Sequence, residues 1–286
     1  MVNGSIPWPK PAPSRSQLGT RPCLLNGGMA SHSPEGAPAV YDSIGIGYRQ
    51  TRRPDPRLAA LIHGALAEAR SVVNVGAGAG SYEPPGAEVT AVDPSKVMLD
   101  QHPGSRSVCA RAEQLPFQGG AFDAAMAVLT VHHWSDLHGG LREMRRVSRR
   151  QVVLTWDPGH HTELWLVSDY LPRIRDLDRS RFPSLSEVVD ALDAHTVHPF
   201  PLPHDFTDGF QSAYWRRPEQ YLDPVVRQGI SSIAQLPAEI VEPAVERLRA
   251  DLASGEWARR QADLLSRDSV DHGYRLVIAG GPSVRR

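Results

Sequence analysis

Residues 72–80 read Val72-Val73-Asn74-Val75-Gly76-Ala77-Gly78-Ala79-Gly80, an apolar run that breaks into alternating glycine and alanine. An apolar, β-branched run followed by turn residues is typical of a buried strand in a parallel sheet, and the glycines let the backbone turn tightly and approach a ligand. The next predicted strand, at residues 87–92, ends at Asp93. A carboxylate in that position can bind both hydroxyls of a ribose, so the two strands predict a nucleotide-like ligand.

This pattern leaves two ligand classes open, a dinucleotide and an S-adenosyl compound. The dinucleotide fingerprint places its last glycine three residues after the second, where it packs a helix beneath a pyrophosphate. Ala79, Gly80 and Ser81 do not provide that spacing. An NAD-dependent oxidoreductase therefore remains as a competing enzyme class, and a tight turn without a ligand is the structural alternative.

Composition limits the classes of protein that fit the chain. With 286 residues and 41% hydrophobic content, the chain can bury the core of one α/β domain with a sizeable insertion. The formal net charge of -1 gives no sign of a polyanion partner. No apolar run approaches the length of a membrane span, and no signal-peptide pattern opens the chain. Cys23 and Cys109 are far apart and lack metal-ligand spacing, so we expect reduced thiols in a cytoplasmic protein. From the charge and the absence of a membrane span, we expect neither nucleic-acid nor membrane partners.

The chain divides by pattern into four segments. Residues 1–38, which include a possible alternative start at Met29, are crowded with Pro, Gly and Ser and predict a disordered tail. Strands and helices alternate over residues 39–156, which predicts a doubly wound, mostly parallel α/β sheet. Residues 157–235 are rich in His, Arg, Pro and aromatic residues, and we expect a substrate-facing insertion with one core strand. Residues 236–286 are predicted to form C-terminal helices and the last core strand.

Two kinds of helix signal accompany these strands. Asp55 is a predicted helix cap and Pro56 fits the first turn that follows it. A further helix is expected from Asp136, before the fifth strand. Within the insertion, the patterns predict helices over residues 163–176 and 184–194.

Together these pieces resemble the class I S-adenosylmethionine-dependent methyltransferases, in the branch that acts on small molecules (methyltransferase type 11-like). The resemblance extends over roughly residues 41–156 by motif and implies a seven-stranded Rossmann-like sheet with a helical cap. It also implies S-adenosyl-L-methionine as cofactor and S-adenosyl-L-homocysteine as product. The matching elements are the turn at residues 76–78, Asp93, the segment 112–117, and the strand from Phe122 that ends in His132-His133-Trp134.

The resemblance implies a role for each residue around the glycine turn. Gly76, Ala77 and Gly78 would let the backbone pass along the methionine moiety of the cofactor. Asp93, with Pro94 beside it, would hold the ribose hydroxyls.

The resemblance places further cofactor contacts on later and earlier segments. Ala112 and Glu113 would border the adenine, and Leu129 would offer its carbonyl near the methionine amine. Tyr48 and Arg52 would close over the methionine carboxylate.

The chain departs from family patterns at two places. The family usually has an acid at the position of Asn74, where an amide accepts a hydrogen bond but carries no charge. Nucleic-acid amino-methyltransferases have an Asn/Asp-Pro-Pro-aromatic element after the fourth strand, whereas residues 131–134 read Val-His-His-Trp. The second departure argues against a DNA or RNA base as acceptor.

Candidate bases cluster where the predicted strand ends meet the insertion. Methyl transfer from a sulfonium is an in-line displacement, so the protein mainly aligns the acceptor and removes a proton where needed. His160 and His161 follow the fifth strand, at the edge where open α/β sheets bind ligands. Glu163 stands among apolar residues that could raise its pKa, although an acid at a helix start explains it equally well. His132 and His133 are more simply explained as walls of the cofactor pocket.

The insertion offers aromatic and basic side chains for acceptor binding. Arginine beside aromatic residues suits an anionic acceptor such as a carboxylate or diphosphate, because the planar guanidinium binds such oxygens in pairs. The aromatic rings could instead face a carbocation, or simply pack the cap while the arginines pair on its surface. The candidate substrate contacts are His133, Trp156, Tyr170, Arg173, His204, Tyr214, Trp215, Arg216 and Arg217.

The sequence thus predicts a methyltransferase acting on a small secondary metabolite, as a monomer or homodimer. A sharper form of this hypothesis is an anionic acceptor, in particular an isoprenoid diphosphate methylated on carbon with Glu163 or a nearby histidine as base. A different class also stays open, a methyltransferase-fold cyclase or scaffold without methyl transfer. No metal site is predicted, and Mg²⁺ would enter only with a diphosphate substrate.

Overall fold

The computed structural model describes residues 52–159 and 164–281. The strands are β1 (Ser71–Val75), β2 (Glu88–Asp93), β3 (Ser107–Cys109), β4 (Phe122–Val128), β5 (Ser148–Trp156), β6 (Thr196–Pro199), β7 (Leu202–Pro203), β8 (Ser269–Val270) and β9 (Tyr274–Gly280). The helices are α1 (Pro56–Leu66), α2 (Lys96–Leu99), α3 (Leu137–Val147), α4 (Arg173–Arg181), α5 (Leu185–Leu192), α6 (Pro224–Gln228), α7 (Ser231–Ala234), α8 (Ala238–Ser254), α9 (Glu256–Arg260) and α10 (Ala262–Leu265). None of the helices in these two ranges is long and apolar enough to cross a membrane.

The central sheet has seven strands in the order β3-β2-β1-β4-β5-β9-β6. The strands from β1 to β5 pair in parallel, whereas β9 runs antiparallel to both β5 and β6. The predicted doubly wound, mostly parallel seven-stranded sheet is therefore confirmed. Strand order reverses between β1 and β4, and sheets of this kind bind ligands outside the carboxyl ends of the strands at such a switch point.

Both faces of the sheet are covered by apolar side chains. Val72 of β1 belongs to one buried cluster and its neighbour Val73 to another, because successive side chains of a strand point to opposite faces. Helix α1 adds Leu58 and Ile62 to the first cluster, and α3 adds Leu141 to the second. Burial on both faces explains why β1 reads as a nearly continuous apolar run.

The predicted starts of α1 and α3 are confirmed by their caps. Oδ1 of Asp55 accepts a hydrogen bond from the N–H of Arg57 at 2.9 Å, and Pro56 occupies the first turn. Oδ1 of Asp136 accepts from the N–H of Gly139 at 2.8 Å. Each cap satisfies an N–H group that the helix itself leaves without a partner.

The insertion between β5 and β9 differs from its predicted form at its start. Instead of one helix over residues 163–176, a π-helical turn at Leu166–Tyr170 precedes α4, which begins at Arg173. Pro172 stands between the two, and a proline cannot donate the hydrogen bond that a continuous helix needs. Helix α4 ends at Arg181, beyond the predicted end at residue 176.

Cys109 ends β3 and is disulfide-bonded in the structure, so the prediction of a reduced thiol at this position is wrong. Cys23, like the rest of residues 1–51, lies outside the described residues. The expectation of a reducing compartment rested on both thiols and loses this support.

Candidate functional site

A first cleft lies at the carboxyl ends of β1, β2 and β4 and has a volume of about 130 Å³. This position is the switch point of the sheet. The cleft is lined by every residue of the predicted cofactor set that the structure describes. These residues are Arg52, Asn74, Gly76, Ala77, Gly78, Asp93, Pro94, Ala112, Glu113 and Leu129.

The turn after β1 depends on glycines with a positive φ angle. Gly76 has a φ of 72° and Gly78 a φ of 53°, which residues with a Cβ atom rarely adopt. A Cβ at Gly76 would also overlap the side chain of Thr130. The N–H groups of Gly76 and Ala77 donate to the carbonyl of Val92 at 2.8 and 3.0 Å, so the turn is fastened to the end of β2.

Asp93 ends β2 at the same edge and is 8% exposed. Its Oδ2 accepts from the N–H of Gly78 at 2.9 Å, and its Oδ1 accepts from the N–H of Ser95 at 2.8 Å. These bonds fix the carboxylate where it lines the first cleft. A carboxylate is an acceptor with several lone pairs, a type of group that suits the hydroxyls of a ligand.

Asn74 lies where the resemblance leads us to expect an acid. Its Nδ2 donates to Oε1 of Glu83 at 2.9 Å, and the same oxygen lies 2.9 Å from Nε2 of the buried His102. Because Nδ2 binds Glu83, Oδ1 of Asn74 is left as an acceptor on a side chain that lines the first cleft. A carboxylate is therefore present next to Asn74, on Glu83, although position 74 itself is uncharged.

Glu113 lines the first cleft beside Ala112 and Trp134. Its Oε1 accepts from the N–H groups of Ser135 at 2.7 Å and Asp136 at 3.1 Å. Burial alone would raise the pKa of Glu113, but these hydrogen bonds hold it below the ordinary value. A charged and firmly oriented acceptor therefore faces the cleft.

Arg52 and Leu129 line both the first cleft and a second, adjoining cleft. Leu129 follows β4 with a φ of 51°, and its N–H donates to the carbonyl of Leu154 at 2.9 Å. Such a conformation is strained for a residue with a Cβ and is common at functional sites. Nε of Arg52 lies 2.5 Å from Oδ1 of the buried Asp208, which also accepts from the hydroxyl of Tyr82 at 2.8 Å. Both residues are thus fixed where the clefts meet.

The second cleft has a volume of about 70 Å³, and aromatic rings form part of its walls beside polar side chains such as Gln211 and Ser232. The His132 ring stacks on Phe182 with centroids 3.9 Å apart, and Phe182 meets Trp156 edge to face at 5.0 Å. Phe210 and Tyr274 complete the aromatic lining. These rings offer surface for a flat group of a ligand, because aromatic rings favour stacked and edge-to-face contacts.

Asp178 brings a carboxyl group to this cleft and is 5% exposed. Nε2 of Gln211 donates to its Oδ2 at 3.0 Å. Burial raises the pKa of Asp178 to about 6, although this hydrogen bond and the charge of Arg181 act in the opposite direction. Asp178 also lines a third, smaller cleft, together with Trp156 and Gln211.

The sequence prediction missed Asp178 because the expected helix ended before it. The signal was nevertheless present: Ile174 and Asp178 are the buried residues of α4, one helical turn apart. An acid on the apolar face of an amphipathic helix is uncommon, because burying a charge without a partner is costly.

His132 and His133 form the 3₁₀ turn after β4, with ring centroids 3.8 Å apart. Burial lowers the pKa of both rings, with a further contribution from the charge of Arg181, and the pKa of His133 falls to about 4. Both rings are therefore neutral at neutral pH. His133, a predicted substrate contact, lines the first cleft instead. Nδ1 of His132 is buried and has no hydrogen-bond partner among the described residues.

Trp156 is the predicted substrate contact that lines the second cleft, and its Nε1 donates to the carbonyl of His272 at 2.5 Å. Apart from His133, the other described members of that set line neither the first nor the second cleft. They are Tyr170, Arg173, His204, Tyr214, Trp215, Arg216 and Arg217.

The aromatic members of that set are buried in the insertion instead. The Tyr170 ring lies 5.8 Å from Trp165, and its hydroxyl donates to Oδ2 of Asp251 at 2.6 Å. Trp215 is fully buried, and its Nε1 donates to the carbonyl of Leu202 at 3.2 Å. Their large apolar surface explains this placement, because burying it stabilises the insertion.

The basic members are held by the protein itself. Nη1 of Arg216 donates to the carbonyl of Arg267 at 3.0 Å. Nη2 of Arg217 donates to the carbonyl of Ala213 at 3.0 Å, and its guanidinium lies 5.0 Å from the ring of Tyr214. Arg173 is exposed at the start of α4, and His204 is half-buried in the loop after β7.

Tyr48, His160, His161 and Glu163 lie outside the described residues, and their roles stay predictions. Across residues 52–159 and 164–281, no group of three or more His, Cys, Asp or Glu side chains is arranged to hold a metal ion.

Similarity to known proteins agrees with this geometry. A family model described as a methyltransferase domain matches residues 73–155. The crystal structure of a putative methyltransferase from an antibiotic biosynthesis pathway of Anabaena variabilis ATCC 29413 is similar to this chain, with 36% identity and a TM-score of 0.76. That similarity covers 81% of this chain and 100% of the Anabaena chain.

Two curated bacterial relatives match shorter stretches. The uncharacterized methyltransferase YcgJ of Bacillus subtilis strain 168 is 31% identical over 132 residues, which cover 41% of this chain and 52% of YcgJ. The uncharacterized protein YafE of Escherichia coli strain K12 is 38% identical over 60 residues, 19% of this chain and 29% of YafE. The chain thus matches about half or less of the length of these two relatives.

Proposed function

The chain belongs to the class I S-adenosylmethionine-dependent methyltransferases, and we propose that it transfers the methyl group of this cofactor to a small molecule bound in the second cleft. The observation that carries the proposal is the shared wall of the two clefts, formed by Arg52 and Leu129. The two clefts therefore adjoin, and we expect a ligand in one to meet a ligand in the other at these residues. The NAD-dependent alternative is set aside, because the family uses S-adenosylmethionine.

The first cleft has donor and acceptor groups that suit the cofactor. Asp93 would accept both ribose hydroxyls, and Oδ1 of Asn74 would accept from the methionine ammonium. Glu83 behind Asn74 would add a negative charge near that ammonium. Ala112 and Trp134 would border the adenine with apolar surface.

The protein would contribute alignment more than bond chemistry. When bound, the cofactor supplies an electrophilic methyl group on a good leaving group. The aromatic walls of the second cleft would orient the acceptor and exclude water, and the fixed Arg52 and Leu129 would set the approach between the two ligands.

The nature of the acceptor follows from the lining of the second cleft. Its aromatic walls support a compact acceptor with a flat apolar body. The name of the Anabaena protein, which refers to antibiotic biosynthesis, supports a secondary metabolite. An anionic acceptor such as an isoprenoid diphosphate finds no support from Arg216 and Arg217, which bind backbone carbonyls outside both clefts.

The test is transfer of an isotope-labelled methyl group from S-adenosylmethionine to a library of aromatic alcohols, amines and carboxylates, with S-adenosylhomocysteine measured in parallel. We expect labelled product and S-adenosylhomocysteine in equal amounts, both abolished in Asp93→Ala. Binding of S-adenosylhomocysteine without transfer to any library member would contradict the proposal and favour the cyclase or scaffold alternative.

A further inference from the structure

We propose that Asp178 takes the proton from the acceptor, and that the acceptor is a neutral hydroxyl compound, methylated on oxygen, with a flat apolar body. This inference rests on the proposed function. It specifies which chemistry the second cleft selects and which side chain serves it.

Asp178 stands beside the aromatic walls of the second cleft. Phe182 follows Asp178 by one helical turn at the end of α4, and both line the cleft. Phe182 in turn lies between His132 and Trp156, at 3.9 and 5.0 Å between ring centroids. A flat molecule against these rings would therefore have a carboxylate within reach of its edge.

Two hydrogen bonds orient Asp178 for accepting a proton. The hydroxyl of Ser232 donates to Oε1 of Gln211, which turns Nε2 of the amide toward Oδ2 of Asp178 at 3.0 Å. Gln211 and Ser232 also line the second cleft. With Oδ2 already bound to Gln211, Oδ1 is the oxygen left for a ligand hydroxyl.

The groups around Asp178 decide which acceptor fits. An ammonium group would be attracted by Asp178 but repelled by Arg181 beside it, and it has no lone pair to form a bond to the methyl carbon. A carboxylate or phosphate would be repelled by Asp178 beside apolar rings. A neutral hydroxyl encounters neither cost. The groups that face Asp178 are Arg181 of its own helix, Gln211, the neutral His132, Tyr274 of β9, and, in the third cleft, Arg175 and Arg179.

His132 is the other polar group that could take a proton in this cleft. Burial and the charges of its neighbours hold the pKa of His132 well below the ordinary value. The pKa of Asp178, raised to about 6, lies closer to that of a weakly acidic hydroxyl and makes its carboxylate the better base. The unpartnered Nδ1 of His132 can still accept a hydrogen bond from a ligand.

The proposed step conserves atoms and charge. A lone pair of the acceptor oxygen forms the new bond to the methyl carbon while the carbon–sulfur bond breaks and its electron pair stays on sulfur. The hydroxyl proton passes to the Asp178 carboxylate and later to water. Sulfonium, hydroxyl and carboxylate thus become thioether, ether and carboxylic acid, without any oxidant, reductant or further reactant.

The test measures binding of simple probes to the full chain loaded with S-adenosylhomocysteine. The probes share one flat body and differ in one group: β-naphthol, its methyl ether, β-naphthoate and β-naphthylmethylamine. Fluorescence titration should give the tightest binding for β-naphthol, about tenfold tighter than for the ether, which lacks the donated hydrogen bond. The affinity for β-naphthol should rise as the pH increases through about 6, because deprotonated Asp178 is the better acceptor.

Asp178→Asn is the decisive variant, and Asp176→Asn is its matched control on the exposed side of the same helix. We expect Asp178→Asn to weaken β-naphthol binding about tenfold and to remove its pH dependence, with the affinity for S-adenosylhomocysteine unchanged. Asp176→Asn should behave as the natural protein in all three measurements.

Three results would overturn the inference while the proposed function stands: S-adenosylhomocysteine binds but β-naphthol does not, the naphthoate or the amine binds tighter, or Asp178→Asn keeps the pH dependence. Failure to bind S-adenosylhomocysteine would instead overturn the proposed function, and this inference with it.

Discussion

The two clefts meet at Arg52 and Leu129, yet they are built in different ways. Backbone dominates the first: amide groups of the glycine turn and of the next loop hold Asp93. Side chains of the insertion dominate the second, where Gln211 holds Asp178. The sheet itself therefore shapes the first cleft, whereas the packing of the insertion shapes the second.

Substituting Gly76 should break the first cleft most severely. Gly76→Ala forces a Cβ into a backbone with positive φ and into the Thr130 side chain, and we expect a loss of about 3 kcal/mol in the free energy of unfolding. Gly64→Ala is the matched control, because open space surrounds Gly64 within α1. It should stabilise by about 0.5 to 1 kcal/mol in urea titrations. Equal effects of the two substitutions would contradict this account of the turn.

The second cleft should show the opposite behaviour, a gain in stability when its acid is removed. The pKa of Asp178 is about 6 in the folded chain against an ordinary value of 3.8, so its ionisation lowers the stability of the fold progressively between these two pH values and in full above about pH 6. Asp178→Asn should therefore be about 2 kcal/mol more stable at pH 8, after allowance for the weaker bond to Gln211. The gain should vanish near pH 4, where the Asp178 carboxyl group of the folded natural chain is protonated.

Urea denaturation at both pH values measures this gain. A variant that is less stable than the natural chain at pH 8, or equally stabilised at both values, would show that Asp178 is not a strained acid.

A milder change in the second cleft should separate acceptor binding from cofactor binding. Trp156→Phe removes part of the aromatic wall and the hydrogen bond to the His272 carbonyl. We expect β-naphthol to bind about fivefold more weakly, which corresponds to about 1 kcal/mol, and S-adenosylhomocysteine to bind as before. Parallel fluorescence and calorimetric titrations measure the two affinities, and an equal loss in both would argue against two separate clefts.

The smallest effect is expected outside both clefts. Arg216→Ala removes a bond to the carbonyl of Arg267, on the surface of the insertion, and should change stability by less than about 0.5 kcal/mol. The affinities for S-adenosylhomocysteine and β-naphthoate should also stay the same. Weaker naphthoate binding in this variant would revive the anionic-acceptor hypothesis.

The same contrast explains how much the sequence could predict. The glycine turn, Asp93 and the alternating strands are short-range patterns, so the sheet and the first cleft could be predicted from residues close together in the chain. The sequence shows no acid at position 74, whereas in the structure the carboxylate of Glu83 lies beside Asn74 and accepts its hydrogen bond.

The second cleft could not be predicted in this way, because it gathers residues far apart in the sequence. Asp178, Gln211 and Tyr274 converge only through packing of the insertion against the sheet. Composition pointed instead to Arg216 and Arg217, but their guanidinium groups satisfy backbone carbonyls. The sequence shows which residues are arginines, but only tertiary packing determines which groups their guanidinium ions contact.

Calorimetric titration with S-adenosylhomocysteine, beside NAD and an Asp93→Asn variant, measures what the first cleft binds. We expect S-adenosylhomocysteine to bind the natural chain and NAD not to bind. Asp93→Asn should weaken binding about tenfold or more, since a charged acceptor for two hydroxyls is lost. Binding of NAD in place of S-adenosylhomocysteine, or an unchanged affinity in Asp93→Asn, would contradict the assignment of the first cleft.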